Sequence, residues 1–334
     1  MRDRSRKRPP MIRLRYLARK LLSLLVTLFV IVTFNFLLFH VLPGNPVRML
    51  TRSGHLTQAT ANAISELYGL NHPLPVQYLF YLKDLLHGNL GMSYTYREPV
   101  TTVLGQYLGN TVLLLAAATV LTIVVGTVAG VIAARRRAGA YDSATVTASV
   151  IGWALPTFWT GLILAFVLGV WVHAFPIFGM ETPNAVYASP FQRIEDVIAH
   201  LFLPTVTLVV VNIAQFVLVA RASVIEVLAE DFMLTATAKG LPPGRVLWRH
   251  AVRNALLPVV TSSALLVGMV VGGAIEVETV FSWPGMGLLV YNSVLNRDYP
   301  VIEASFLVFA VTVLLVNFVS DLLYQVLDPR VREA

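Results

Sequence analysis

Long uncharged stretches alternate with short polar ones along this chain. Six apolar runs occupy residues 21–47, 110–134, 144–172, 201–220, 255–275 and 301–327. Each run is long enough to cross the hydrocarbon core of a bilayer, which takes about 20 helical residues. The pattern predicts an all-α polytopic membrane protein with six transmembrane helices. We expect the first to end near Pro43, and the third to be interrupted at Pro156, since proline is tolerated in membrane helices and often kinks them.

The polar segments divide the chain into regions. These are a basic N-terminus (1–20), the first helix with an extramembrane region (21–108), five further helices (109–327) and a tail (328–334). The first run is longer than the core of a signal peptide, so we interpret it as a retained span. Apolar residues recur at helical spacing from Leu74 to Leu86, which predicts a helix in an extracytoplasmic cap between helices 1 and 2.

The composition agrees with a membrane location. Hydrophobic residues make up 56% of the 334 residues and charged residues 13%, whereas soluble domains carry about 25% charged residues. Cysteine is absent, which excludes disulfides and cysteine-based metal sites. The histidines are scattered over different segments, so we expect no metal site and no catalytic site.

The net charge of +7 is better explained by membrane topology than by binding to nucleic acid. Nineteen of the 25 lysines and arginines fall on one side of six spans, in residues 1–20, 135–137, 221–254 and the tail. Loops rich in Lys and Arg stay in the cytoplasm. We therefore expect both termini and the 221–254 segment to be cytoplasmic.

A short polar helix is predicted inside the large cytoplasmic loop 221–257. It begins at Glu230 and Asp231 and ends at Lys239 and Gly240. Acids at the start and a base at the end suit the helix dipole, and a glycine followed by two prolines stops a helix. Its middle consists of small residues, which let another surface approach the backbone. We interpret this helix as a docking element, and the basic segment after it as a surface helix.

Seven segments, each weak alone, form a specific combination over nearly the whole chain. They are 42–46 (Leu-Pro-Gly-Asn-Pro), 155–159 (Leu-Pro-Thr-Phe-Trp), 231–241, 249–258, 277–287 (Val-Glu-Thr-Val-Phe-Ser-Trp-Pro-Gly-Met-Gly), 297–300 and 328–330. The combination resembles the permease subunits of binding-protein-dependent ABC importers. It is most similar to the first permease of the pair in the dipeptide, oligopeptide and nickel branch. The loop departs from the general importer pattern at 234–236 and in the longer gap between Gly240 and Pro258.

The resemblance implies a type I ABC importer permease fold in the bacterial inner membrane. It also implies a second homologous permease, two ABC ATPase subunits, an extracytoplasmic solute-binding protein and surrounding lipid as partners. The chain has no Gly-x-x-x-x-Gly-Lys-Ser/Thr phosphate loop. We therefore expect a non-catalytic subunit without a cofactor, with ATP and Mg bound by the ATPase subunits.

The expected solutes are dipeptides or oligopeptides, with nickel and oligosaccharides as alternatives for the same machinery. The alternative from another functional class is a secondary transporter. It would usually show inverted repeats and charged residues within broken helices. No clear internal repeat is present, and the spans carry almost no charge.

Three sets of candidate site residues follow. The set for coupling to the ATPase is Glu230, Asp231, Phe232, Thr235, Ala236, Ala238, Lys239 and Gly240. The set for the translocation path is Asn212, Gln215, Asn317 and Glu276. Hydrogen bonding between helices is the simpler explanation for each of the three amides, and capping of a loop is the alternative for Glu276. The set for the face that meets the solute-binding protein is Glu278, Trp283, Pro284 and Gly285. For these, capping of a loop by the glutamate and an aromatic interface anchor are the alternatives.

Overall fold

The computed structural model describes residues 14–41 and 72–327, apart from the side chains of 14–17, 41, 261, 264–273 and 320–327. These ranges fold into helices, and the strand-like pairing found in them is a single bridge between Met92 and Pro99. The helices are α1 (Leu14–Val41), α2 (Leu74–Leu86), α3 (Val100–Arg135), α4 (Ala140–Ala154), α5 (Thr157–Leu164) continued by the π-helix π1 (Ala165–Trp171), α6 (Pro190–Leu228), α7 (Asp231–Ala238), α8 (Pro243–Arg245) continued by π2 (Val246–Ala251), α9 (Val252–Val280), α10 (Met286–Asn296) and α11 (Tyr299–Leu327).

The predicted all-α membrane architecture is confirmed. Four helices, α1, α3, α6 and α11, are long and apolar enough to cross a membrane, and the bent pair of α4 with α5–π1 makes up to five. The remaining predicted run, 255–275, lies in α9, which has 29 residues. At 1.5 Å per residue α9 is about 43 Å long, which exceeds the thickness of a bilayer core. Residues 42–47 of the first run, like the tail, lie outside the described residues.

The third run is bent sharply at the predicted proline. Helices α4 and α5 meet at an angle of 110°, and Leu155 between them is extended at φ −81° and ψ 140°. A residue before proline is pushed out of the helical region by the proline ring. Pro156 therefore ends α4 and starts a new helix in another direction.

Helix α6 lies at the centre and packs against α3, α4, α5 and α9. Glycines bring the neighbouring helices close to it. A Cβ atom at Gly130 of α3 would lie 2.5 Å from the carbonyl oxygen of Val217, and one at Gly152 of α4 would lie 2.7 Å from that of Val210. Small residues at helix contacts are what close packing between membrane helices requires.

The helix ends define two sides of the molecule. We use "loop side" for the end with α7 and "cap side" for the end with α2 and the segment 172–189. On the cap side, Arg193 Nη2 pairs with Glu181 Oε1 at 2.6 Å, and the hydroxyl of Tyr187 donates to Asp196 Oδ2 at 2.7 Å. This hydrogen bond raises the pKa of Tyr187 to about 12. The segment 172–189 is thus fixed onto the start of α6.

Candidate functional site

Helix α7 occupies the polar loop between α6 and α9. It runs from Asp231 to Ala238, directly after Glu230, whose backbone is extended. Asp231 lies in the first turn, where backbone N–H groups favour negative charge. At the other end, the N–H of Gly240 donates to the carbonyl of Thr237 at 2.9 Å, and Gly240 has a φ of +71°. Glycine adopts this left-handed conformation without strain, so the predicted start and stop of the helix are confirmed.

One face of α7 is anchored in the body of the protein. Met233 and Ala236 are 3% and 6% exposed. They join a buried apolar cluster with Val224 of α6 and with Leu247 and Ala251 of π2. Residues three apart lie on the same face of a helix, so α7 is held by packing along its length. Ala236 belongs to the predicted coupling set, but its methyl group contacts the protein itself.

The rest of the α7 surface is exposed and carries two large apolar side chains, which project on the two sides of the buried stripe. Phe232 is 42% exposed and Leu234 is 70% exposed. No atom lies within 4 Å of the position that a Cβ of Gly240 would take. These side chains leave apolar surface on both sides of the helix for a partner that surrounds it, although Leu234 was absent from the predicted set. The other exposed members of that set are Glu230, Asp231, Thr235, Ala238 and Lys239.

An ion pair fixes the loop-side end of α6. Nε and Nη2 of Arg221 donate to the two carboxylate oxygens of Asp142 at 2.5 and 2.8 Å. The N–H of Ala138 also donates to this carboxylate, at 3.0 Å. Two parallel bonds orient both side chains, so the turn between α3 and α4 is tied to α6. The sequence did not indicate this pair, since only the fold brings residues 142 and 221 together.

On the cap side, Glu278 is a fully buried carboxylate near the end of α9. It accepts a hydrogen bond from the hydroxyl of Thr111 at 2.7 Å, and from the N–H groups of Gly287 and Leu288 at 2.6 and 3.2 Å. These N–H groups belong to the first turn of α10, which has no partners for them within its own helix. The carboxylate therefore caps α10. Two roles were predicted for Glu278, a place on the binding-protein face and the capping of a loop. Its contacts are those of a capping residue.

The side chains of Trp283 and Asn110 each donate a hydrogen bond to a backbone carbonyl in the other's segment. The indole Nε1 of Trp283 donates to the carbonyl of Asn110 at 3.0 Å, and Nδ2 of Asn110 donates to the carbonyl of Pro284 at 2.8 Å. Trp283 is fully buried, so its ring is not an exposed interface anchor. A Cβ at Gly285 would lie 2.3 Å from Oε1 of Glu278. The structure thus brings together all four residues predicted for the binding-protein face, as an internal brace.

The four residues predicted for the translocation path lie on three helices, with Asn212 and Gln215 one turn apart on α6. Nδ2 of Asn212 donates to the carbonyl of Leu208 in its own helix at 2.8 Å, and Gln215 is half-buried one turn further. Asn317 is exposed on α11. Glu276 is exposed on α9. Among the described residues, no hydrogen bond joins any two of the four.

Helix α5 begins beside one of these path residues. Oε2 of Glu276 accepts a hydrogen bond from the N–H of Phe158 at 3.3 Å, in the first turn of α5. Thus the carboxylate lies where backbone N–H groups lack partners within their own helix, next to the bend at Pro156.

A second buried carboxylate, that of Asp298, holds the turn after α2. It accepts hydrogen bonds from the hydroxyl of Ser93 at 2.5 Å and from the N–H groups of Tyr94 and Thr95 at 3.1 and 3.0 Å. Asp298 itself lies between α10 and α11, and it was not predicted to be a site residue. Within residues 14–41 and 72–327, no group of three or more His, Asp or Glu could hold a metal ion.

Two family models cover most of the chain. The model described as "Binding-protein-dependent transport system inner membrane component" matches residues 126–333. The model for the N-terminal part of such membrane components matches residues 13–116. The first match includes α7, Glu278 and Asp298, and the second includes their partners Thr111 and Ser93.

Curated relatives match along almost their whole length. The oligopeptide transport system permease protein AppB of Bacillus subtilis is 37% identical over 317 residues, which cover 95% of this chain and 98% of that protein. The di/tripeptide transport system permease protein DppB of Pseudomonas aeruginosa is 38% identical, with 96% and 99% covered. The dipeptide transport system permease protein DppB of Escherichia coli K12 is 35% identical with the same coverage.

Proposed function

Because the chain belongs to the family of binding-protein-dependent transport system inner membrane components, we propose that it is a permease subunit of an ATP-driven peptide importer. The observation that carries this proposal is the full-length match to relatives named as dipeptide, di/tripeptide and oligopeptide permeases. The exposed face of α7 adds a physical reason, because a subunit without its own phosphate loop must receive energy through a contact.

The proposed assembly contains a second homologous permease, two ABC ATPase subunits and an extracytoplasmic solute-binding protein. The excess of Lys and Arg on the loop side supports an orientation with both termini and α7 in the cytoplasm. In this orientation α7 faces the ATPase subunits, and the cap side faces the solute-binding protein.

Energy enters through the exposed face of α7, which docks in a groove of an ATPase subunit. Phe232 and Leu234 supply apolar contacts to the two sides of the groove, and Glu230, Asp231 and Lys239 add charge at the two ends of the helix. The anchored face then passes the movement on, since Met233 and Ala236 pack in one cluster with residues of α6 and π2. Close-packed groups move together, so closure of the ATPase subunits becomes a rigid-body movement of the spans.

The solute path is proposed to run past Asn212, Gln215, Glu276 and Asn317. Polar residues within spans are costly unless they face a cavity or a partner, and Glu276 and Asn317 are exposed in this single chain. Glu278, Trp283, Pro284 and Gly285 support the cap-side surface at which the solute-binding protein docks.

Replacing Gly240 with leucine tests the coupling role. A non-glycine residue in the left-handed region costs about 1–2 kcal/mol, and the new side chain would project from the open tip of the proposed contact. We expect insertion to be unchanged and uptake of a radiolabelled dipeptide to be lost, while ATP hydrolysis no longer responds to the loaded binding protein.

Gly88 provides a matched control. It has a φ of +72° and no atom within 4 Å of its Cβ position, as at Gly240, but it follows α2 on the cap side. The Gly88→Leu protein carries the same backbone strain and should retain most of its uptake. Equal uptake by the two variants would refute the assignment of α7 as the energy-coupling contact.

A further inference from the structure

Helix α2 packs against the interior of α1 and not against its end. The hydroxyl of Tyr78 lies 2.6 Å from that of Thr33, and Nδ2 of Asn35 donates to the hydroxyl of Tyr81 at 3.3 Å. The ring of Phe36 lies between these contacts, with centroids 5.1 and 5.5 Å from those of the two tyrosine rings. The turn of α2 from Tyr78 to Tyr81 therefore has a fixed height along α1.

That height lies inside the apolar length of α1. The uncharged part of the helix extends from Leu21 to Val41, which is about 30 Å and matches the hydrocarbon core of a bilayer. Thr33 and Asn35 come eight and six residues before Val41, or about 12 and 9 Å at 1.5 Å per residue. The contacts with α2 are therefore well below the cap-side end of the span.

Helix α11 gives an independent measure of the same depth. Nδ2 of Asn35 also donates to the carbonyl oxygen of Glu303 at 3.2 Å. Glu303 is four residues beyond Tyr299, where the candidate span of α11 begins, or about 6 Å along the helix. Both spans thus place the α2 contact about one to two turns inside the membrane.

The outward face of α2 is apolar, and the described residues leave it largely uncovered, with a ring contact between His72 and Phe80 at its edge. No residue of α2 is buried. Leu79 is 63% exposed and Leu86 is 86% exposed, with Leu74 and Phe80 exposed beside them. Lys83 is the base on this face, and a lysine can reach the headgroups with its ammonium group while its stem stays among apolar groups.

We propose that α2 is an interfacial membrane helix whose outward face contacts the acyl chains of the cap-side leaflet. The partner is lipid, and not the aqueous phase that a soluble cap would face. Interfacial helices bury their apolar face about 5–10 Å deep, which agrees with the depth given by α1 and α11. The inference depends on these two helices spanning the membrane and is independent of the transported solute.

The natural lack of cysteine permits a direct test. Single cysteines are introduced as Leu79→Cys and Leu86→Cys, and as Val186→Cys in the same cap-side region, where the side chain is 97% exposed. Each is labelled with bimane in the purified transport complex reconstituted in nanodiscs. The unsubstituted complex corrects for labelling of partner subunits. Quenching is then measured with acyl-chain nitroxide lipids and, separately, with aqueous iodide.

We expect nitroxide lipids to quench the labels at 79 and 86 at least about twofold more than the label at 186, and iodide to show the reverse order. Iodide quenching at 79 and 86 equal to that at 186 would overturn the proposal, because the helix would then face water. Protection from both quenchers would also overturn it, since protein would then cover this face.

Discussion

At the scale of single residues, Glu278 and Gly285 depend on each other. The carboxylate reaches the N-terminus of α10 only because position 285 has no side chain, and a Cβ there would lie 2.3 Å from Oε1. The same carboxylate also binds Thr111 of α3. One glycine thus permits a contact that joins α3, α9 and α10.

Replacing Gly285 with alanine should lower the stability of the protein. The added methyl group must displace the carboxylate or the start of α10, and overpacking of this kind costs about 1–3 kcal/mol. The measurement is the midpoint of thermal unfolding in detergent. Gly105→Ala in α3 is the control, because no atom lies within 4 Å of its Cβ position. Equal midpoints for the two variants would contradict the steric role of position 285.

The sequence identified some of these residues but not their surroundings. Glu278 and Trp283 were recognisable as a polar and an aromatic residue near the end of an apolar run. Their complete burial was not predictable, because it depends on Thr111 and Asn110, more than 160 positions away. Asp298 was missed for the same reason, since its partners lie in the turn after α2.

At the scale of elements, α7 has two faces with different tasks. Met233 is buried among residues of the same chain, and the neighbouring Leu234 is 70% exposed. One helix is therefore both part of the fold and a free surface. Met233 and Leu234 have side chains of similar size, so replacing each of them in turn separates these two properties.

Met233→Ala and Leu234→Ala should affect different measurements. Loss of the buried side chain costs about 2–5 kcal/mol, so Met233→Ala should lower the unfolding midpoint of the subunit. Leu234→Ala should change stability by less than about 0.5 kcal/mol but reduce co-purification of the ATPase subunits. If Leu234→Ala leaves both the midpoint and co-purification unchanged, the exposed face is not the docking surface.

Residues at the helix ends predicted where helices begin and end, but not which face of each helix is buried. The acids before α7 and the glycine after it define its ends, because helix termini have their own chemistry. Eight residues with a small-residue centre show too little periodicity to reveal which face is buried, so Ala236 was grouped with exposed neighbours. Similarly, Pro156 marked the break in the third run, whereas the 110° bend depends on packing of α5 against α6 and α9.

At the scale of the whole molecule, the positions of Lys and Arg predict the orientation. Val186 lies on the cap side and Trp248 on the loop side, and they are 97% and 49% exposed. Single cysteines at these positions should react differently with a membrane-impermeant maleimide. We expect Val186→Cys to be labelled in spheroplasts, and Trp248→Cys to be labelled only after permeabilisation. The opposite result would invert the proposed topology.

The apolar runs predicted which segments are helices, but not their arrangement. Hydropathy measures how strongly each segment prefers an apolar environment. It contains no information about which helices are neighbours. That information lies partly in glycines such as Gly130 and Gly152, whose contacts with α6 become visible only in the fold. The central position of α6 was therefore not predictable from the sequence.

The buried contact between positions 278 and 285 also constrains how such a protein can evolve. An alanine at 285 is harmful while the glutamate remains, and a shorter residue at 278 leaves α10 uncapped while the glycine remains. Neither change is neutral alone, so a lineage that alters one position must soon alter the other. Related sequences should therefore differ at both positions together, and sequences that carry only one of the two changes should be rare.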